Sequence, residues 1–215
     1  MSHPLRLFMA RHGQTEGARE GRFCGDIDVP LNSQGLAMAE ALGRHYAATP
    51  WQAIYSSPMD RARRTGGPLS ARTSLPLQIE NGLREIAYGA WEGLLEIDVK
   101  AKYAKEFMAW EQDPGRHAPP GGETGEAIAV RAMAAIDRIR ARHPDGGNVM
   151  VVSHKATLRV LVCRLLGMDV NDFRRKVTQP PGTVTVVDFR EGGPMLLALA
   201  DVRHLPPELW PDLGS

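Results

Sequence analysis

The segment Asn148-Val149-Met150-Val151-Val152-Ser153 limits what this chain can become more than any other. It is short, nearly all apolar and rich in β-branched residues, the pattern of a strand covered on both faces. Such a strand needs helices on either side of its sheet. The rest of the chain supplies them by alternation. Residues 5–10 read as a first strand. Residues 33–48 read as a helix, with Leu36, Ala39, Ala41 and Leu42 on its apolar side. Residues 53–56 read as a second strand and 77–79 as a third. Between them, Ser57 is placed to cap a helix that starts with Pro58 and runs to about residue 72. Further helices are expected over 123–142 and over 155–166, the latter ending at Gly167. Strands over 183–189 and 195–200 close the pattern, before an irregular tail over 206–215. The expected fold is an α/β three-layer sandwich with a mainly parallel central sheet flanked by helices.

One stretch breaks the alternation. Residues 81–125 hold loops, one amphipathic piece over 96–112 carrying Phe107, Met108 and Trp110, and a turn-rich run between Asp113 and Gly122. A long insertion of this kind inside a compact domain is characteristically a functional lid. The chain's 215 residues suit one domain.

Composition excludes several classes. With 26 basic and 25 acidic residues the net charge is +1, which disfavours nucleic acid as a partner. A small anion needs only a few local cations. The two cysteines, Cys24 and Cys163, make no disulfide framework and fit a cytoplasmic protein. The longest clean apolar run, Met195 to Ala200, is far short of the roughly 20 residues of a membrane span, and the first residues lack a secretory signal.

In open α/β sheets, ligands gather at the carboxyl ends of the strands. Two of the seven histidines lie there: His12 in Ala10-Arg11-His12-Gly13, and His154 in Val152-Ser153-His154. His3, His45, His117, His143 and His204 show no such placement. Arg11 precedes His12, and Arg61 falls one turn into the helix after the second strand. Arginine suits phosphate because its planar fork makes paired contacts. Glu85 follows the third strand and reaches the same edge. Histidine nucleophile, carboxylic acid and cations form a phosphoryl-transfer set: the histidine attacks phosphorus, the arginines offset charge, and the acid protonates the leaving oxygen. A metal site built on His12 and His154 is disfavoured by the adjacent arginines and by the lack of a metal-ligand spacing. No glycine-rich nucleotide-binding motif follows a strand. A non-catalytic anion-binding protein of the same fold remains an alternative.

The string Ala10-Arg11-His12-Gly13-Gln14-Thr15 resembles the R-H-G-[EQ]-T motif of the histidine phosphatase superfamily, the phosphoglycerate mutase-like proteins. Further blocks agree in order: Gly21 to Gly25 with Asp28 to Leu31, Ser56-Ser57 with Arg61-Ala62 and Thr65, Leu83-Arg84-Glu85 with Tyr88-Gly89 and Trp91-Glu92-Gly93, Pro120 to Thr124, and Val152-Ser153-His154. The resemblance implies one domain over 1–215 with a lid over about 86–125. It implies that His12 is the phosphorylated nucleophile, that Arg11, Arg61 and His154 complete the phosphate pocket, and that Glu85 is the proton donor. By the same similarity Thr15, Arg22, Cys24, Gly25 and Tyr88 belong to substrate binding, with no cofactor and no metal; Lys155 joins the substrate-binding candidates on its charge and position, not on the resemblance. The pattern departs at Ala18, often asparagine, and at Lys155, usually glycine, where lysine adds a cation or simply faces solvent. Mutases of the family carry adjacent arginines in a longer lid, whereas this chain has only Arg116 between Gly89 and Glu123. The expected activity is therefore a phosphomonoesterase acting on a small phosphorylated metabolite, with a cofactor-dependent phosphoglycerate mutase as the alternative. The block Arg22-Phe23-Cys24-Gly25 resembles the mutases. Apolar residues near Leu205, Leu209 and Trp210 suggest a homodimer.

Overall fold

The computed structural model describes residues 4–211. His3 and the last four residues of the expected tail lie outside them. In chain order the elements are β1 (Leu5–Arg11), α1 (Glu16–Glu20), α2 (Ser33–Tyr46), β2 (Trp51–Ser56), α3 (Asp60–Thr73) and β3 (Leu77–Ile79). Next come α4 (Glu96–Lys102), α5 (Ala104–Gln112), α6 (Gly125–Arg142), β4 (Gly147–Ser153) and α7 (Lys155–Leu165). The chain closes with α8 (Phe173–Lys176), β5 (Val184–Arg190) and β6 (Gly193–Asp201). The sheet order is β3-β2-β4-β1-β5-β6. The pairs β3–β2, β2–β4 and β4–β1 are parallel, while β1–β5 and β5–β6 are antiparallel. The sheet is thus mixed, with its parallel part at the edge that carries β2, β4 and β1.

Alternation along the strands explains the three layers. Val149 and Val151 of β4 pack with Ile128, Ile136, Leu158 and Leu161 of α6 and α7. Met150 and Val152 point the other way, into a cluster with Leu42, Ile54 and Leu69 beneath α2 and α3. Each fully buried side chain of this size contributes about 1.5–3 kcal/mol, so both faces of β4 are committed to the core.

Several elements differ from the sequence reading. The third helix starts at Asp60 rather than Pro58, and Ser57 is not its cap. The Asp28 carboxylate caps it through space, accepting from the backbone N–H groups of Asp60 and Arg61. Leu36 is exposed, because the buried stripe of α2 runs through Met38, Ala39, Leu42 and Tyr46. The amphipathic piece divides into α4 and α5 at Tyr103, whose φ of −128° and ψ of 39° break the helix. Phe107 and Trp110 are buried with Trp91 and Val99 of the insertion and with Phe23 of the loop before α2, whereas Met108 is exposed. The helices α1 and α8 are too short to show a period.

The expected apolar surface near the C-terminus is also mostly absent. Leu205 is buried against Met38 and Ala41, and Leu209 packs on the same group. Only Trp210 stays exposed, with its Nε1 donating to the Leu205 carbonyl. No helix among the described residues is long and apolar enough to cross a membrane.

His204 anchors this corner. It is 7% exposed, its Nε2–H donates to the Gly182 carbonyl at 2.9 Å, and its buried Nδ1 has no protein partner among the described residues. Burial lowers its pKa to about 4. Between the unfolded value near 6.5 and that value, the unfolded chain binds a proton that the native chain refuses, so acidification destabilises the fold. The difference in urea-unfolding free energy between wild type and His204→Gln should narrow by about 3 kcal/mol as pH falls from 7 to 4. A gap independent of pH would contradict this assignment.

Candidate active site

The carboxyl ends of β1, β2 and β4 meet at one edge, over a cavity of about 210 Å³. Arg11 and His12 reach it directly from β1. His12 is 4% exposed. Its Nδ1 lies 2.8 Å from the Gly13 carbonyl, which can only accept, so Nδ1 carries the ring proton and Nε2 keeps its lone pair. Burial, then the fields of Arg61 and Arg11, push its pKa well below the usual histidine value. The ring is neutral at neutral pH, as a nucleophile requires.

Arg61 is held by its whole fork. Its Nε donates to Nδ1 of His154 at 3.3 Å. Nη1 donates to the Ile27 carbonyl and to Asp28, and Nη2 to the Cys24 and Gly25 carbonyls. With five N–H donors in a guanidinium, all of them are engaged by protein. What Arg61 can offer the cavity is therefore its field rather than a free fork. Arg11 is different. Its Nη1 donates to the Gln179 carbonyl at 2.7 Å, while its buried Nε has no partner among the described residues. Burial, opposed in part by Glu85, lowers its pKa to about 10. Arg11 stays charged and has a donor to spare.

His154 lies behind His12 rather than on the cavity wall, with ring centroids 5.1 Å apart. Because Nδ1 accepts from Arg61, Nε2 carries the proton and donates to Ser57 Oγ at 2.7 Å. This is where Ser57 is used, and why it does not cap α3. Burial first, then Arg61 and His12, push the His154 pKa well below the usual value.

Glu85 lines the cavity and also caps α7 from outside that helix. Its carboxylate accepts from the backbone N–H groups of Ala156 and Thr157, and from Ile86 N at 3.0 Å. A carboxylate there is favoured by the partial positive charge of the helix N-terminus. The same contacts fix Glu85 against the helix whose first residue is Lys155.

The substrate-binding candidates divide. Thr15, Arg22, Cys24, Tyr88 and Lys155 line the cavity, as does Ala18. Gly25 does not. Its N–H donates to Glu92 and its carbonyl receives Arg61. A Cβ on Gly25 would sit 1.8 Å from the Ile86 carbonyl oxygen, so the position requires glycine to let two loops touch. Glu92 clamps those loops, accepting from the backbone N–H groups of Gly25, Asp26, Ile27 and Tyr88. Arg22 is partly tied to Glu20 and the Gly93 carbonyl. The Cys24 thiol is pushed up by burial and by Glu92, which removes thiolate character.

Two cations of the cavity escape the sequence reading. Arg159 and Arg174 line it alongside Lys155. Arg159 stands one helical turn after Lys155, a spacing visible in the sequence. Arg174 gives no such signal, sitting in the basic run Arg174-Arg175-Lys176 that reads as a solvated face. No cluster of three or more His, Cys, Asp or Glu among the described residues is arranged to hold a metal.

Fold and cavity together define the class: an α/β sandwich enzyme built for phosphoryl transfer. Comparison with known proteins agrees. The family profile of the histidine phosphatase superfamily (branch 1) matches residues 7–202. Phosphoserine phosphatase 1 of Hydrogenobacter thermophilus is 31% identical over 79% of this chain and 80% of its own length. Glucosyl-3-phosphoglycerate phosphatase of Mycolicibacterium vanbaalenii is 32% identical over 78% of this chain and 77% of its own. The solved structure of Bacillus stearothermophilus YhfR superposes with a TM-score of 0.87 and 28% identity, covering 94% of this chain and 100% of that one. The chain belongs to the histidine phosphatase superfamily.

Lys155 offers a direct test of this geometry. Burial, with Arg11 and Arg159 nearby, lowers its pKa to about 7. The lysine therefore loses its charge as pH rises through neutrality, and kcat/KM, which reports groups of the free enzyme, should fall above pH 7. Lys155→Met should remove that alkaline limb and lower kcat/KM roughly tenfold at pH 6, an effect of the size expected for one hydrogen-bonded charge. An unaltered pH profile would place the ammonium outside the site.

Proposed function

We propose that this chain is a cytoplasmic phosphomonoesterase that hydrolyses a small phosphorylated metabolite through a phosphohistidine on His12. One observation carries the reading: a buried, neutral His12 with its Nε2 lone pair free beside Arg11, Arg61 and Glu85 at one cavity. Nε2 attacks phosphorus and the ester oxygen leaves. Glu85, which lines the cavity beside His12, is the proton donor to that oxygen. Arg11 donates to the phosphoryl oxygens and Arg61 supplies positive field where charge accumulates. Water then attacks the phosphohistidine, the phosphoryl group leaves as inorganic phosphate, and Glu85 receives the proton. His154 is a positioning group, orienting Arg61 behind the nucleophile.

The chain is read as one domain, with the insertion over about 86–125 as its lid. Two features favour hydrolysis over mutase chemistry. The lid's one arginine after Gly89, Arg116, points outward at 74% side-chain exposure and pairs with Asp113. Relatives are named as phosphatases for phosphoserine and glucosyl-3-phosphoglycerate. The cavity volume of about 210 Å³ suits a small metabolite, being below the 300–1,000 Å³ usual for drug-sized ligands. Unpaired Cys24 and Cys163 support a reducing compartment.

Wild type should release phosphate from p-nitrophenyl phosphate with chelator present. Rapid quench with labelled substrate should leave acid-labile label on the protein. His12→Ala should lose both, with turnover down by about a thousandfold or more. Undiminished turnover in that variant would overturn the mechanism. Interconversion of 2- and 3-phosphoglycerate faster than phosphate release would establish the mutase instead.

A further inference from the structure

We propose that Lys155, Arg159 and Arg174 form a second anion subsite, so that the substrate is a phosphomonoester carrying a carboxylate beyond its ester carbon. This rests on the phosphomonoesterase reading and adds the substrate class. All three side chains line the cavity that His12 lines. None has a hydrogen-bond acceptor or ion-pair partner among the described residues, and the Arg159 Nε is buried without any partner. Unpaired guanidinium groups are normally found in water, because burial of a lone charge is costly. Here they are mostly enclosed, and rigid contacts keep them so. Arg174 stacks on the Trp110 ring at 3.8 Å, held between α8 and the insertion. Lys155 and Arg159 project from successive turns of α7, whose N-terminus is pinned by Glu85.

The subsite is built from α7 and α8, whereas the phosphate end is built from β1 and α3; Lys155, which feels Arg11 as well as Arg159 and Arg174, stands between them. Burial lowers the pKa of Lys155, Arg159 and Arg174 alike, and like charge adds to it at α7, where Arg11, Arg159 and Arg174 act on Lys155 and Arg174 acts on Arg159. An anion placed among them relieves both. A phosphoryl dianion at Arg11 and Arg61 leaves Lys155, Arg159 and Arg174 faced on the cavity wall only by Glu85 and Glu96, so a second anionic group is called for. A carboxylate fits best, since its two coplanar oxygens match a planar guanidinium and it adds little volume to a cavity of about 210 Å³.

The test compares three small esters: 2-phosphoglycolate, glycerol 3-phosphate and phosphoethanolamine, whose remote groups are anionic, neutral and cationic. Wild type should prefer them in that order, with at least a hundredfold in kcat/KM between first and last. Arg159→Met and Arg174→Met should each raise KM for phosphoglycolate at least tenfold and KM for glycerol phosphate less than threefold. Arg159 makes no hydrogen bond among the described residues, so its variant tests the subsite even if loss of the Arg174 stack destabilises the protein. Equal rates on all three esters, or equal losses on all three in the variants, would overturn the subsite while leaving the phosphatase intact. A glycerol bisphosphate preferred tenfold over phosphoglycolate would overturn the carboxylate in favour of a second phosphate. If no ester turns over, the phosphatase reading fails by itself. Calorimetric affinities of the same esters then decide the subsite, which stands if phosphoglycolate binds at least tenfold tighter than glycerol phosphate and falls otherwise.

Discussion

Two carboxylates cap helices to which they do not belong, and the site is built on that arrangement. Asp28 closes the N-terminus of α3 and Glu85 that of α7. Each helix follows a strand of the sheet and carries a cation into the cavity, Arg61 in one case and Lys155 in the other. A cap supplied by the same helix would satisfy the backbone equally well. A cap supplied from a distant loop does more, because it makes the loop's position and the helix's position one variable. Arg61 extends the linkage, holding the 24–28 loop by its carbonyls and His154 by its ring nitrogen. His12 thus rests on a frame in which buried polar groups satisfy one another.

The legible and illegible parts of the sequence divide along the same line. His12 and His154 could be found because both directly follow apolar strands, and strand order alone brings such residues to one edge. Their different duties could not. Only the Arg61 and Ser57 contacts show His154 turned away from the cavity with both nitrogens occupied. Ser57 was open to misreading because a serine before proline is a good local cap, whereas here a distant aspartate takes that duty. Arg174 lies 162 positions after His12, and only the folded cavity wall joins the two. Glu92 was visible as part of a motif, but its grip on four backbone N–H groups depends on loop geometry that periodicity does not encode.

Charge shows the same contrast of scales. Over the whole chain the balance is +1. At the cavity wall, Arg11, Arg22, Arg61, Lys155, Arg159 and Arg174 face Glu85 and Glu96. Near-neutrality elsewhere keeps long-range attraction to polyanions weak, since screening erases fields beyond roughly 10 Å. Inside, where water is largely displaced, the same few charges act strongly.

The insertion's aromatic cluster has a consequence for change over time. Phe23, Trp91, Val99, Phe107 and Trp110 bury one another, and α4 and α5 stand on them rather than on the sheet. Ile97 and Met108 on the outer side are exposed. Helices standing on such a cluster, to which the loop before α2 adds Phe23, can exchange their outer residues while the strand ends beneath keep their positions. Substrate choice can diverge there without reworking the catalytic frame.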